Sequence, residues 1–185
     1  MITIIDYGAG NIRSVVNAVS KLGYQPEVTN KPGDVLKATA VIFPGVGAAT
    51  DTMHNLEKSG MLQVIRQLIA EDRPLFAVCL GMQILLSRTE EGGGQECLGI
   101  IPGVVRRLPT GLKVPHIGWN QVKQKMTHPV FAFLNELSNP ISFNIEFGFE
   151  AQLLLHLDFN PAVDAAKATS CMMYCFHKFS LSVFF

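Results

Sequence analysis

The chain lacks an excess of charge of either sign: fifteen lysines and arginines are balanced by fifteen aspartates and glutamates. No electrostatic footprint for a nucleic acid or an anionic membrane follows, so any partner is recognised through local chemistry. A long hydrophobic run is also missing, and none approaches the roughly 20 residues that a spanning helix needs. The opening MITIIDYGAG has neither a basic n-region nor a cleavage site. The cysteines, at 79, 97, 171 and 175, lack zinc-ribbon spacing, and a chain of 185 residues can build its core without disulfides. A cytosolic protein with reduced thiols, no cofactor and no nucleic-acid or membrane partner is the expectation. Internal repeats and Gly/Ser/Pro-rich linkers are absent too, so residues 1–185 read as a single domain.

What the sequence does have is alternation of strand-like and helix-like segments. ITIID reads as a short buried strand, GAG at 8–10 as a turn, and Asn11 as an N-cap. The helix that follows carries Ile12, Val15, Val16, Val19 and Leu22 on one face and stops at Gly23. PEVT predicts a strand, Pro32-Gly33 a turn, and AVIFPG a further strand. Residues 49–72 read as helical with a break near Gly60, and Met61, Ile65, Leu68 and Ile69 supply the inward stripe. PLFAVC is then a strand and GMQILLS a helix. Strands that are apolar almost throughout, each followed by a helix, argue for an α/β fold with a doubly wound, mostly parallel sheet covered on both faces. Segments 99–109, 113–122 and 141–150 look β-like, the last by strict alternation from Ile141 to Glu150.

Composition shifts near residue 131. Ten of the twelve phenylalanines lie at 131–185, with one of the sixteen glycines and no arginine. Segment 132–185 therefore diverges in character from what precedes it.

The stretch PLFAVCLGMQ places Cys79 where a strand turns into a helix. Such a corner presents its side chain at the carboxyl edge of the sheet, where open α/β folds bind ligands, so Cys79 should be accessible. Small Ala77 and Gly81 permit the crowding that an elbow requires. The positive end of the helix beginning at Leu80 would stabilise a thiolate and receive an oxyanion. Alternatively, Cys79 merely finishes a core strand. FPGVG, Phe43 to Gly47, ends the preceding strand on the same edge, and its glycines let backbone N–H groups approach a ligand; alone it is equally a strand-to-helix turn.

Taken together, DYGAGN at 6–11, FPGVG at 43–47, CLGMQ at 79–83, GIIPGVV at 99–105 and PHIGWN at 115–120 resemble the class I glutamine amidotransferases. The pairing of DYGAGN with PHIGWN resembles in particular their histidine-biosynthetic branch, the glutaminase subunits of imidazole glycerol phosphate synthase. The resemblance, which runs over about residues 1–131, implies a flavodoxin-like sheet, L-glutamine as substrate, and a (β/α)8-barrel synthase subunit as partner in a heterodimer. It implies Cys79 as nucleophile. Gly45, Val46, Gly47 and Leu80 would hold the oxyanion, and Gly81 and Gln83 would seat the substrate. Gly8, Gly10, Asn11 and Trp119 would lie at the partner interface.

Competing readings are few. GAG is no dinucleotide fingerprint, because Arg13 stands at the third glycine position, and without the resemblance Trp119 would be a core aromatic. The family closes its site with a segment like FHPEKS; here the tail reads CFHKFS, so His177 stands where the base belongs while Lys178 and Phe179 replace proline and glutamate. Lysine beside the histidine disfavours imidazolium formation. The family's upstream HSY is replaced by SFNIEF. Cys171, Cys175 and His177 would need a fourth ligand to hold a metal. The departures leave open a homologue that docks without catalysing, and the elbow alone would suit another cysteine hydrolase.

Overall fold

In a computed structural model, the structure describes residues 1–8, 11–106, 116–121, 142–147 and 171–174, the last three segments as strand backbone. Ten strands are assigned there: β1 (Ile2–Ile5), β2 (Glu27–Thr29), β3 (Ala40–Phe43), β4 (Leu75–Val78), β5 (Leu86–Thr89), β6 (Gln95–Glu96), β7 (Ile101–Val105), β8 (His116–Gln121), β9 (Ser142–Phe147) and β10 (Cys171–Tyr174). The α-helices are α1 (Ile12–Lys21), α2 (Pro32–Val35), α3 (Ala49–Lys58), α4 (Met61–Ala70) and α5 (Leu80–Gln83).

The main sheet has the order β10-β4-β3-β1-β2, and every pairing in it is parallel. The chain steps from β1 to β2 in one direction and from β3 to β4 in the other. Right-handed crossovers therefore put α1 on one face and α3 and α4 on the opposite face. This is the doubly wound arrangement expected from the apolar strands, and the flavodoxin-like sheet that the resemblance implies. Two smaller sheets accompany it, β6-β5-β7 and the antiparallel pair β8-β9.

Burial follows the strand period. Val41 and Phe43 of β3 and Leu75 and Ala77 of β4 are buried in one cluster with Leu56, Met61, Ile65 and Leu68 of α3 and α4. Their alternates Ile42, Phe76 and Val78 point to the other face and are half-buried. Coverage is thus complete on the α3/α4 face and partial on the α1 face, where Val19 is the buried residue of α1. Gly60 separates α3 from α4 with φ 73°, as its position between two stripes predicts.

Three local expectations are corrected. Pro32-Gly33 opens the one-turn helix α2 rather than a simple turn, since proline's fixed φ suits a first helical position. Asn11 occupies the N-cap of α1 in the left-handed region, and its side chain accepts from the Ser14 hydroxyl instead of capping a backbone N–H. The helix expected over GMQILLS lasts one turn and gives way to β5. Leu80 to Leu86 are all buried, and the carbonyls of Ile84, Leu85 and Leu86 accept from the amides of Leu98, Ile100 and Gly99, which takes the backbone beyond α5 out of a helical ladder.

Candidate active site

The carboxyl ends of β1, β3 and β4 meet at the point where the strand order reverses, the crevice in which open α/β sheets bind ligands. Cys79 follows β4 directly, with φ 52° and ψ −117°. A non-glycine residue in such a conformation costs on the order of 1–3 kcal/mol and persists because its surroundings hold it. Its carbonyl accepts from the Met82 and Gln83 amides, both at 3.0 Å, which ties the elbow to α5.

The loop after β3 packs straight onto this elbow. A Cβ on Gly45 would stand 2.0 Å from the Gly81 nitrogen and 2.6 Å from both the Leu80 nitrogen and the Val78 carbonyl oxygen. A Cβ on Gly81 would stand 2.4 Å from the Phe43 carbonyl oxygen. Two backbones touch here, and glycine at both positions is what allows it. The amides of Leu80 and Gly81 are thereby brought against the Gly45 α-carbon, beside the residue that carries the thiol.

Cys79 is wholly buried, contrary to the accessible side chain expected at a sheet edge. Cys79 belongs to one buried apolar cluster with Tyr7, Phe43, Ala77 and Leu80. Tyr7 is buried and stacks edge-on against Phe43, with ring centroids 5.7 Å apart and planes at 75°. Its hydroxyl accepts the Val46 N–H at 3.3 Å. Burial raises the Tyr7 pKa; hydrogen bonds with the Val46 amide and the Thr52 side chain oppose the rise, and the charge of Cys79 adds to it. Sulfur, phenol and loop amide therefore form one electrostatic neighbourhood.

This geometry alters two expectations. The Val46 amide, expected to donate to an oxyanion, is engaged by Tyr7. The helix behind Leu80 is a single turn, so its macrodipole contributes little and the Leu80 and Gly81 amides themselves are the local positive groups. Gly45, Leu80, Gly81 and Gln83 are buried around the elbow, Val46 is half-buried and Gly47 is exposed with φ 98°. Gly8 and Asn11 are exposed at the end of β1, and the Gly8 amide donates to Asp6 Oδ1 at 2.9 Å. An open cleft beside them is lined by Asp6, Tyr7, Gly8, Asn30, Asn55 and Lys58. Trp119 lies on β8 in register with Asn144. Gly10 and His177 lie outside the described residues.

The chain matches the family model described as "Glutamine amidotransferase class-I" over residues 3–170. It belongs to the class I glutamine amidotransferases. Among curated relatives of this amidotransferase, "Imidazole glycerol phosphate synthase subunit HisH" of Dehalococcoides mccartyi is 53% identical over 131 residues, covering 71% of this chain and 64% of that protein. The Moorella thermoacetica protein of the same name is 52% identical over 122 residues, covering 66% and 58%. "Imidazole glycerol phosphate synthase hisHF, chloroplastic" of Arabidopsis thaliana is 45% identical over 125 residues, covering 66% of this chain and 21% of that one. The chain thus spans less than two thirds of the length of either of these bacterial relatives. A crystal structure of a glutamine amidotransferase superposes with a TM-score of 0.57 at 19% identity, over 79% of this chain and 71% of that one, which confirms the fold.

Two residues of this amidotransferase escaped the sequence reading. Tyr7 stands inside DYGAGN, but nothing local says that its hydroxyl reaches the next loop. Glu91 Oε2 accepts the Ala49 N–H at 2.8 Å and caps α3 from 42 positions away, where Ala48 offers no side-chain cap. Cys97 is half-buried, its Sγ donates to the Gln95 carbonyl at 3.6 Å, and burial followed by the charge of Glu96 pushes its pKa up to about 11. That thiol stays protonated and unreactive near neutrality. Among the described residues no three histidine, cysteine, aspartate or glutamate side chains gather as metal ligands, and no helix is long and apolar enough to cross a membrane.

Proposed function

We propose that the chain is the glutaminase subunit of an imidazole glycerol phosphate synthase, hydrolysing L-glutamine to glutamate and ammonia. The observation that carries this reading is the contact between the Cys79 elbow and the Gly45 loop, which sets backbone amides beside a strained cysteine. The thiolate attacks the side-chain amide carbon, and the resulting oxyanion is received by the Leu80 N–H and amides of the Gly45–Gly47 loop. One such donor is typically worth about a hundredfold or more in rate. The C–N bond then breaks, ammonia leaves carrying a proton delivered by the base, and water cleaves the glutamyl thioester to regenerate the thiol.

His177 is the proposed base. β10 runs parallel to β4 with Tyr174 opposite Val78, and His177 follows three residues later. Three residues span at most about 10 Å, so the imidazole can be brought to the edge that carries Cys79. The ammonia passes to a (β/α)8-barrel synthase subunit in a cytoplasmic heterodimer, docked over Gly8, Gly10, Asn11 and Trp119. The named relatives and the cleft at the end of β1 support that partner and that face.

The test is glutamate release from glutamine with the barrel subunit and its ligand present. Release that disappears in Cys79→Ala is the expected result; release indifferent to that substitution rejects the proposal. A chain that copurifies with the barrel but forms no glutamyl thioester would instead be a docking subunit, the role that Lys178 and Phe179 would favour.

A further inference from the structure

We propose that the cleft at the carboxyl ends of β1 and β2 is a socket for an acidic side chain of the barrel subunit, with the Lys58 ammonium and the Asn30 and Asn55 carboxamides as its donors. The inference rests on the heterodimer reading and names the chemistry by which that partner is held. The cleft measures about 430 Å³ and opens between the turn after β1 and the last turn of α3. β1 and β2 end side by side there, with Ile5 opposite Thr29. A Cβ on Gly8 would stand 3.9 Å from Asn55 Nδ2, so turn and helix meet across the cleft. Gly8 belongs to the face proposed for docking, and the cleft continues that face.

The polar groups here divide into those already engaged and those left over. The Asp6 N–H donates to the Thr29 carbonyl and the Asp6 carboxylate accepts from the Gly8 N–H, both at 2.9 Å. The Ser59 hydroxyl donates to the Leu56 carbonyl at 3.1 Å. The Asn55 and Glu57 carbonyls take the Ser59 and Gly60 N–H groups, so the end of α3 is closed without Lys58. Among the described residues, the side chains of Asn30, Asn55 and Lys58 make no hydrogen bond or ion pair. An ammonium and two carboxamides are rich in N–H groups, and a carboxylate, with two acceptor oxygens and a charge opposite to that of Lys58, satisfies them. The Asp6 carboxylate repels an anion lodged on its own side and so directs the newcomer to Lys58. Gly8, Asn30 and Lys58 are exposed, and the mouth of the cleft is wet. A charge pair in open water gains little, which argues against a free carboxylate as occupant; a protein surface that closes the mouth excludes water and strengthens the same contacts.

Carbodiimide coupling of the assembled heterodimer, read by mass spectrometry, should link Lys58 to an aspartate or glutamate of the barrel subunit. Lys58→Met should raise the Kd for the barrel subunit about 10-fold and Lys58→Glu about 100-fold, while Lys58→Arg, which keeps the charge, should stay within about 3-fold of wild type. Added salt should weaken the wild-type complex more than the Lys58→Met complex. Lys21→Met removes the same charge from the last turn of α1 and should leave Kd unchanged. A Kd indifferent to both Lys58→Met and Lys58→Glu, with no cross-link at Lys58, overturns the proposal. Protection of Lys58 from acetylation by free L-glutamate, without the barrel subunit, overturns it as well, because the cleft would then be a site for small carboxylates. If the wild-type chain does not bind the barrel subunit at all, the heterodimer reading itself fails; wild-type binding that the Lys58 variants match rejects the socket alone.

Discussion

Gly45→Ala is the substitution that the site tolerates least for its size. The added methyl would sit 2.0 Å from the Gly81 nitrogen and 2.6 Å from the Leu80 nitrogen and the Val78 oxygen, where real Cβ atoms essentially never come within 3.0 Å. All three obstacles are backbone atoms, so no rotamer relieves the clash and the loop must withdraw from the elbow by at least about 1 Å. Misplacement of that size costs on the order of a hundredfold in rate when the displaced groups stabilise the transition state. Overpacking of a well-filled interior adds about 1–3 kcal/mol of destabilisation. The assay is steady-state glutamate release with the barrel subunit present, run beside thermal unfolding. Gly33→Ala is the control, because a Cβ there meets nothing within 4 Å and alanine suits a helical position; stability should hold or rise by up to about 1 kcal/mol at unchanged activity. A folded Gly45→Ala with wild-type kcat would refute the claim that this backbone contact organises the site.

Cys97→Ser should leave labelling of Cys79 by a glutamine analogue unchanged, and alkylation of Cys97 should be slow at neutral pH and accelerate toward about 11, as mass spectrometry of the modified chain would report. The folded pKa of Cys97 lies above its ordinary value of 9.0, so the stability it contributes is present below that pH and is lost as pH rises toward about 11; Tyr7, raised from 10.0, acts in the same direction in the more alkaline range. Unfolding free energy should therefore fall through that range and fall less in Cys97→Ser. Glu91→Ala removes the cap from α3 and should lower stability by about 1 kcal/mol in denaturant titrations. His177→Ala should abolish glutaminase activity, whereas the pair Lys178→Pro and Phe179→Glu should raise kcat by tenfold or more, since the third member of such a triad orients the base (about 10⁴-fold in serine enzymes).

Much of this was legible because it is local. The apolar runs Ile2–Ile5, Ala40–Phe43 and Leu75–Val78 are too short and too uniformly hydrophobic to be surface helices, and each becomes a strand of the parallel sheet. Gly60 and Gly23 punctuate helices as their missing side chains allow. The reading failed where a distant segment captured the backbone: GMQILLS has helical composition, yet the carbonyls of Ile84, Leu85 and Leu86 bond to amides of residues 98–101, and the segment splits into one turn and a strand. It failed also where a contact joins residues far apart in the chain, as Glu91 joins Ala49 and Tyr7 joins Val46.

The sequence by itself determined the strand-and-helix alternation, the cysteine at the end of a strand, and the glycines at 45 and 81 without which the backbones could not meet. These follow from steric and hydrophobic rules acting over a few residues. Tertiary structure alone decided that Cys79 would be buried rather than open, that Gly45 would rest on the amides of Leu80 and Gly81, and that a tyrosine from the first turn would take the Val46 amide. Those outcomes depend on which strands become neighbours, and strand order is fixed by the packing of the whole sheet and its crossovers.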